Sequence, residues 1–493
     1  MSALPASFSY FVNRLAGVSR KQVKITPNNS TSVKQAESIT FVLPTDSICD
    51  LQSLKMIYNF KYQNDTVDGA KARLRYVPAP HQLVRSATWS INNTAVCGSE
   101  NQNFPQVYEC LRVASSGNDN VNSRKDEYNA PPIANLIGAA NSANDAGKLV
   151  GVHNERVCSH TVSRRCKMTD FLGLQTSPNS MNYDTSIFGE TRLELQLTGN
   201  EAALISGTAT PSTADNDWEI TDVHCVIDVI SFASPEYDML MSQILQEGSL
   251  LMPFNNITSQ KSLLNSAIRF NVASSSLDMV GFALLKDVHN QATHVVADSN
   301  RTTDKAFTDG LVPNQVQLCY RNSSSAAAST LANMSDSVDA TWYFTINGSV
   351  YPSQGATKLI DGAEYTKNTY AAGKDDYNQL FLGASTELQA QDDATTALSQ
   401  KIAPSAYNLE YAKNYKRVNY LDRNCFVALR TCLDVPAAQS SSRALSGLNT
   451  LGQSSQIQLN LQGFNNSTDF ALMIGQGSSV IQVAAGQQVS VIH

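Results

Sequence analysis

The sequence has 493 residues, with 43 acidic and 36 basic side chains and a formal net charge of −7, which excludes a dedicated nucleic-acid compactor, since that needs a large cationic excess to displace counterions. Only 16% of residues are charged, against roughly 25% in an ordinary soluble domain. Ser, Thr, Asn, Gln and Ala fill the gap, giving a polar surface that can be buried against further protein without stranding many ions.

At the N-terminus, Phe8, Phe11, Leu15 and Val18 share one helical face. No acid precedes Glu37, while Arg14, Arg20, Lys21, Lys24 and Lys34 are basic. Residues 1–36 are therefore expected to form a short, basic, amphipathic helical arm. β-signals follow. Ser38–Leu43 and Leu54–Tyr62 are rich in β-branched and aromatic residues. Residues 190–197 alternate, with Glu190, Arg192, Glu194 and Gln196 on one side and Thr191, Leu193, Leu195 and Leu197 on the other, as in a half-buried strand. Ile220–Phe232 reads as a longer buried strand. Residues 114–150 and 174–186 read as long polar loops.

The clearest helical pattern starts at Ser234, which can cap it, with Pro235 at the first helical position. Tyr237, Leu240, Met241, Ile244 and Leu245 then fall on one face, and Gly248 is placed to end it. Residues 234–248 are expected to link two β-domains, 37–233 and 249–493. In the second, Ala267–Val272, Leu277–Lys286, Trp342–Tyr351, Asn424–Leu433, Gln456–Leu461, Phe470–Ile474 and Val480–Ile492 read as strands. Long loops are expected over 287–340 and 355–400, the latter with a helix near 386–402.

The halves share a fragment. ATWSINNTAV (87–96) parallels ATWYFTINGSV (340–350), aligning Ile91 with Ile346 and Asn92 with Asn347. Downstream, residues 114–119 resemble 371–376 at nearly the same offset. Trp89 and Trp342 are read as equivalent core residues. This points to a duplicated β-domain.

Catalytic motifs are not found: neither a phosphate-binding G-x-x-x-x-G-K-[ST], nor H-E-x-x-H, nor G-x-S-x-G, nor a dinucleotide-binding glycine pattern. His153, Cys158, His160 and Cys166 match no standard zinc spacing and read as a loop with ordinary cysteines. Cys425 and Cys432, seven residues apart in a strand-like run, face opposite sides. Asp375-Asp376 and Asp392-Asp393 read as solvated loop residues. No catalytic, metal-binding or cofactor-binding residue is assigned, and no cofactor or small-molecule substrate is expected. The nine cysteines are irregularly spaced. With no apolar leader and no stretch approaching 18 apolar residues, synthesis in a reducing compartment with free, buried thiols is expected.

In order along the chain, WEITDVHCVIDVISF (218–232), GSLLMPF (248–254), Ser274–Lys286, YFTINGSVYP (343–352) and Gly447-Leu448-Asn449 followed by Gln456–Leu461 resemble segments of the double jelly-roll major capsid proteins of polinton-like viruses, virophages and nucleocytoplasmic large DNA viruses. The resemblance implies an all-β fold: two consecutive eight-stranded antiparallel jelly-roll sandwiches joined by a short helix, with long loops and a short N-terminal helical arm. It implies a structural role without catalysis. Homotrimers of pseudo-hexameric outline would tile the icosahedral shell of a double-stranded DNA virus. Its partners would be copies of itself, minor capsid and penton proteins, with the arm toward genome or an inner membrane. The chain would be made in an infected cell and end in the virion. Two rival readings are a carbohydrate-binding or carbohydrate-cleaving β-sandwich protein and a viral spike or fibre protein.

Overall fold

The computed structural model describes residues 18–63, 73–74, 80–98, 103–115, 161–199, 204–207, 217–232, 249–285, 294–297, 340–359, 426–433, 445–451, 456–463, 470–484 and 488–492. In the first half these form β1 (Val18–Ile25), β2 (Val33–Lys34), β3 (Ser38–Val42), β4 (Ile48–Gln63), β5 (Arg73–Leu74), β6 (Val84–Ile91), β7 (Thr94–Cys97), helix α1 (Phe104–Ser115), β8 (Thr161–Met168), β9 (Tyr183–Asp184), helix α2 (Thr185–Phe188), β10 (Thr191–Leu197), β11 (Leu204–Gly207) and β12 (Asp217–Phe232). The second half gives β13 (Leu250–Leu263), β14 (Ala267–Asn271), β15 (Leu277–Leu285), β16 (His294–Ala297), β17 (Thr341–Ile346), β18 (Ser349–Tyr351), β19 (Thr357–Lys358), β20 (Phe426–Arg430), β21 (Gln456–Gln462), β22 (Phe470–Ala484) and β23 (Gln488–Ile492).

Each half builds two facing sheets from these strands. In the first they run β1-β12-β4-β8 and β3-β10-β6-β7. In the second they run β13-β22-β15-β20 and β14-β21-β17-β18. Read in chain order, the two sets match position for position, and every pairing along these paths is antiparallel. This is the jelly-roll arrangement, repeated. A small sheet, β16-β11-β5, joins connections of the two halves, with β11 and β16 parallel.

Alternation sets the registers. In β10 the odd positions Thr191, Leu193, Leu195 and Leu197 are buried, as the sequence pattern requires. In β17, Trp342, Phe344 and Ile346 point inward. The matched fragment falls on equivalent hairpins. β6 turns into β7 through Asn92 (φ 46°) and Asn93 (φ 65°), and β17 into β18 through Asn347 (φ 50°) and Gly348 (φ 81°). Two consecutive left-handed residues define the turn that suits strand twist, and Asn and Gly adopt it most readily. The predicted single strand Trp342–Tyr351 is thus a hairpin.

Three expectations change. The basic stretch is not a free arm: β1 pairs with β12 over its whole length and β2 pairs with β12 as well. Backbone pairing satisfies β1, and its cations stand on an exposed face, which hides the strand from an amphipathic reading. The first sandwich therefore starts at β1 rather than at residue 37. β8, expected to be a loop, is a strand paired with β4. Helix α1 was unassigned, although Phe104, Val107, Tyr108 and Leu111 give it a buried stripe at helical spacing. Residues 1–17, the linker 234–248 and the helix near 386–402 lie outside the described residues.

Candidate functional site: the junction between the sandwiches

The β13-β22-β15-β20 sheet is apolar on both faces, and its sequences show it. MVGFALL in β15, after Asp278, and ALMI in β22 are continuous apolar runs rather than alternating ones, the pattern of a sheet buried twice. Val280, Phe282, Leu284, Ala471 and Met473 point into the second sandwich, around Trp342 and Phe344. Ile257, Met279, Ala283, Phe426, Ala428, Leu472 and Ile474 point the other way and belong to one apolar cluster with the first sandwich's core. Met252, Phe254, Ile481 and Val483 join that cluster further along β13 and β22. Fully burying one such side chain stabilises by about 1.5–3 kcal/mol, so this surface alone makes the two sandwiches one structural unit.

The connection between β8 and β10 meets this sheet. Its two 3-10 turns, Gly173–Thr176 and Pro178–Asn182, lie against β13. The turns are held from within: the Gln175 side chain accepts from Phe171 N at 2.7 Å and donates to Thr169 O at 2.9 Å, and Ser180 Oγ donates to Gln175 O at 2.8 Å. Leu172 and Gly173 both have positive φ, 58° and 60°. A Cβ on Gly173 would sit 2.6 Å from Cys97 Sγ, so glycine is required by both conformation and space. Ser177 Oγ donates across the junction to Pro253 O at 2.9 Å. A second link runs from Gln476 Nε2 to Asn255 Oδ1 (3.3 Å) and from Asn255 Nδ2 to Thr176 Oγ1 (3.1 Å). Buried polar groups at this contact are thus paired rather than stranded.

A second polar knot locks the sheet itself. A bulge between Leu277 and Met279 displaces Asp278 from the ladder. Ser276 Oγ donates to Asp278 Oδ1 at 2.9 Å and Ser478 Oγ to Oδ2 at 2.5 Å. Gly447 N donates to Ser276 Oγ at 2.9 Å. Burial raises the Asp278 carboxyl above its ordinary range, and the hydrogen bonds from Ser478 and Ser276 only partly oppose this.

The corresponding face of the first sandwich is different. On the outer side of β1-β12-β4-β8, Asp228 stands directly opposite Asp50. Arg20 Nη2 lies 2.7 Å from a carboxylate oxygen of each. Arg165 pairs with Asp222 at 2.6 Å and Lys61 with Glu219 at 3.0 Å. Half-buried Ile57, Val226 and Ile230 share this face, with Lys55 and Lys24 in register on either side of Val226. The Arg165 hydrogen bond holds the Asp222 carboxyl below its ordinary range.

Of the weighed metal candidates, His153, Cys158, His160 and Cys425 lie outside the described residues, as do Asp375, Asp376, Asp392 and Asp393. Cys166 is buried on β8, opposite Tyr58. Cys432 Sγ accepts from Arg430 Nε at 3.2 Å. Among the described residues, no cluster of three or more potential ligands occurs, and no helix is long and apolar enough to cross a membrane. The six described cysteines are buried. Burial pushes the Cys49 and Cys97 thiols to about 12, which leaves them inert. Trp89 and Trp342 are fully buried core residues. They are not equivalents, however: Trp89 faces Leu193 as Phe344 faces Leu459, while Trp342 is two residues nearer the start of its strand. Sequence reasoning missed the docking connection, although Leu172-Gly173 and the Pro178 turn within it were visible signals.

No family model matches the sequence, and no curated protein matches it. Solved structures do share its fold. PBCV-1 VP54, fitted into a reconstruction of the virophage Sputnik, is 10% identical with a TM-score of 0.52, covering 99% of each chain. The PBCV-1 virus capsid gives the same values. The Faustovirus major capsid protein is 10% identical with a TM-score of 0.51, over 96% of this chain and 91% of its own. The chain has the double jelly-roll fold of these viral proteins.

Proposed function

We propose that the chain is a major capsid protein of a double-stranded DNA virus, a structural subunit that assembles as trimers to tile an icosahedral shell. The observation that carries this is the position-for-position repetition of one sandwich, joined by a junction that is head-to-tail: a connection of the first sandwich meets a sheet face of the second. Such a contact relates unlike surfaces, so it can be repeated around a closed ring. Two similar sandwiches per chain and three chains per ring give six similar units around a three-fold axis. The likeness to solved capsid proteins over nearly the whole chain supports the same reading.

The proposal needs no catalysis and no cofactor. Assembly rests on an interface of ~2,000–5,000 Å², the range of obligate contacts, followed by weaker contacts between trimers. Penton and minor capsid proteins complete the partner set, and the virion is the destination. A contact of the N-terminal segment with genome or membrane would have to rely on residues 1–17, because Arg20, Lys21, Lys24 and Lys34 are built into the sheet. Sedimentation of the purified chain tests the reading. A three-chain species supports it, and a monomer at every concentration, with or without glycosidase activity, overturns it.

A further inference from the structure

Asp278 is 1% exposed and sits where three pieces of chain meet: the bulge near the start of β15, the adjacent strand β22, and residues 445–451, which lead toward β21. Residues 445–451 form a strap across this end of the second sandwich. Gly447 N donates to Ser276 Oγ at 2.9 Å. Leu448 and Leu277 exchange backbone hydrogen bonds at 2.9 Å, and Thr450 N donates to Ser274 O at 2.7 Å. The Thr450 hydroxyl accepts from Ser274 N at 2.9 Å. The strap lies directly on the carboxyl. A Cβ on Gly447 would be 2.5 Å from Asp278 Oδ1 and from Ser276 Oγ, and 2.7 Å from Leu277 O. A gap too small for a methyl group holds no water.

We propose that Asp278 is a pH-operated latch for this strap: the neutral carboxyl keeps residues 445–451 seated, and ionisation lifts them so that water reaches the charge. A buried ion without hydration is costly. The Ser276 and Ser478 hydroxyls donate to the carboxyl oxygens but replace only part of that hydration, and burial keeps the group above its ordinary range. Hydrating Oδ1 means moving Gly447, which is seated on it. Among the described residues, the charged or titratable groups acting on Asp278 come from the end of β20. Arg430 favours the ionised form, and its Nε donates to the nearby Cys432 Sγ at 3.2 Å. Residues 255–258 of β13, 274–277, 475–479 of β22 and the strap itself carry no ionisable side chain. With the strap open the carboxyl returns to its ordinary value, about 3.9. Opening therefore grows as pH rises from there to the raised value of the seated state, and is level beyond it. The latch acts within one chain and does not rest on the self-assembly reading.

Hydrogen exchange of the full chain, from about pH 3 to about pH 8 and corrected for the intrinsic pH dependence of exchange, tests it on peptides covering 445–451 and, as a reference, 191–197. The expected result is strap opening that rises at least ~3-fold across this range while β10 does not follow, and that stays level in Asp278→Asn. Ser478→Ala removes a hydrogen bond that favours the ionised form, so the rise is expected to extend to higher pH. This second variant decides if Asp278→Asn does not fold. Strap opening that ignores pH in the parent, a rise shared equally by β10, a rise unchanged in folded Asp278→Asn, or an unmoved profile in Ser478→Ala overturns the latch.

Discussion

Ser177 Oγ donates a 2.9 Å hydrogen bond to the carbonyl oxygen of Pro253, tying a fully buried side chain of the first sandwich to the backbone of the second. Replacing Ser177 by Ala leaves that carbonyl without this donor in a water-poor junction, which costs about 1–3 kcal/mol. The expected result is a lower melting temperature with both sandwiches affected, measured by calorimetry.

Asp278 and Asp222 give opposite pH dependences. Burial raises the folded Asp278 carboxyl, so its contribution to stability is fully present below the ordinary carboxyl range, near ~3.9. That contribution is lost as pH rises through the raised value. Asp278→Asn is expected to remove this loss and flatten the stability profile on the alkaline side of that range. Asp222 is held low by Arg165, so its contribution is present above the ordinary carboxyl range and lost as pH falls through the lowered value. Asp222→Asn is expected to make a small change, confined to acid conditions, because the group is exposed. Denaturant melts across pH 2–8 measure both.

Gly447 and Gly348 separate space from conformation. A Cβ on Gly447 would lie 2.5 Å from Asp278 Oδ1 and from Ser276 Oγ, so Gly447→Ala overpacks the knot and is expected to cost about 1–3 kcal/mol. Gly348 has open space around it and a φ of 81°, so Gly348→Ala is expected to cost about 1–2 kcal/mol from left-handed backbone strain alone. Chemical denaturation of the two variants gives the comparison.

Trp89 and Trp342 each fill the centre of a sandwich, at 0% exposure. Truncating either to Ala is expected to cost about 3–5 kcal/mol. Because the apolar cluster of the first sandwich continues onto the second sandwich's sheet, each variant is expected to lower a single cooperative thermal transition. Two separate transitions in the parent chain would count against a packed junction.

Much of this fold is legible in the sequence where one face of a strand is wet. The alternation of residues 190–197 gives β10 and its inward leucines, and the pairing of Asn92 with Asn347 marks the same hairpin in both halves. β1 and β8 escape because their outward residues are charged and their inward ones small or few: VSRKQVKI and TVSRRCKM look like loop or arm until β12 and β4 supply the backbone partners. The junction escapes for a different reason. Apolar runs such as MVGFALL show that both faces are buried, but not which segment covers the second face. That depends on the β8–β10 connection, whose turns are set by the local hydrogen bonds of Gln175 and Ser180.

Electron micrographs of the purified protein, with its mass in solution, bear most directly on the doubled sandwich as an assembling unit. Particles of three times the 53.5 kDa chain mass, with six lobes around a three-fold axis, are the expected result. Two-lobed particles of a single chain at every concentration would contradict it.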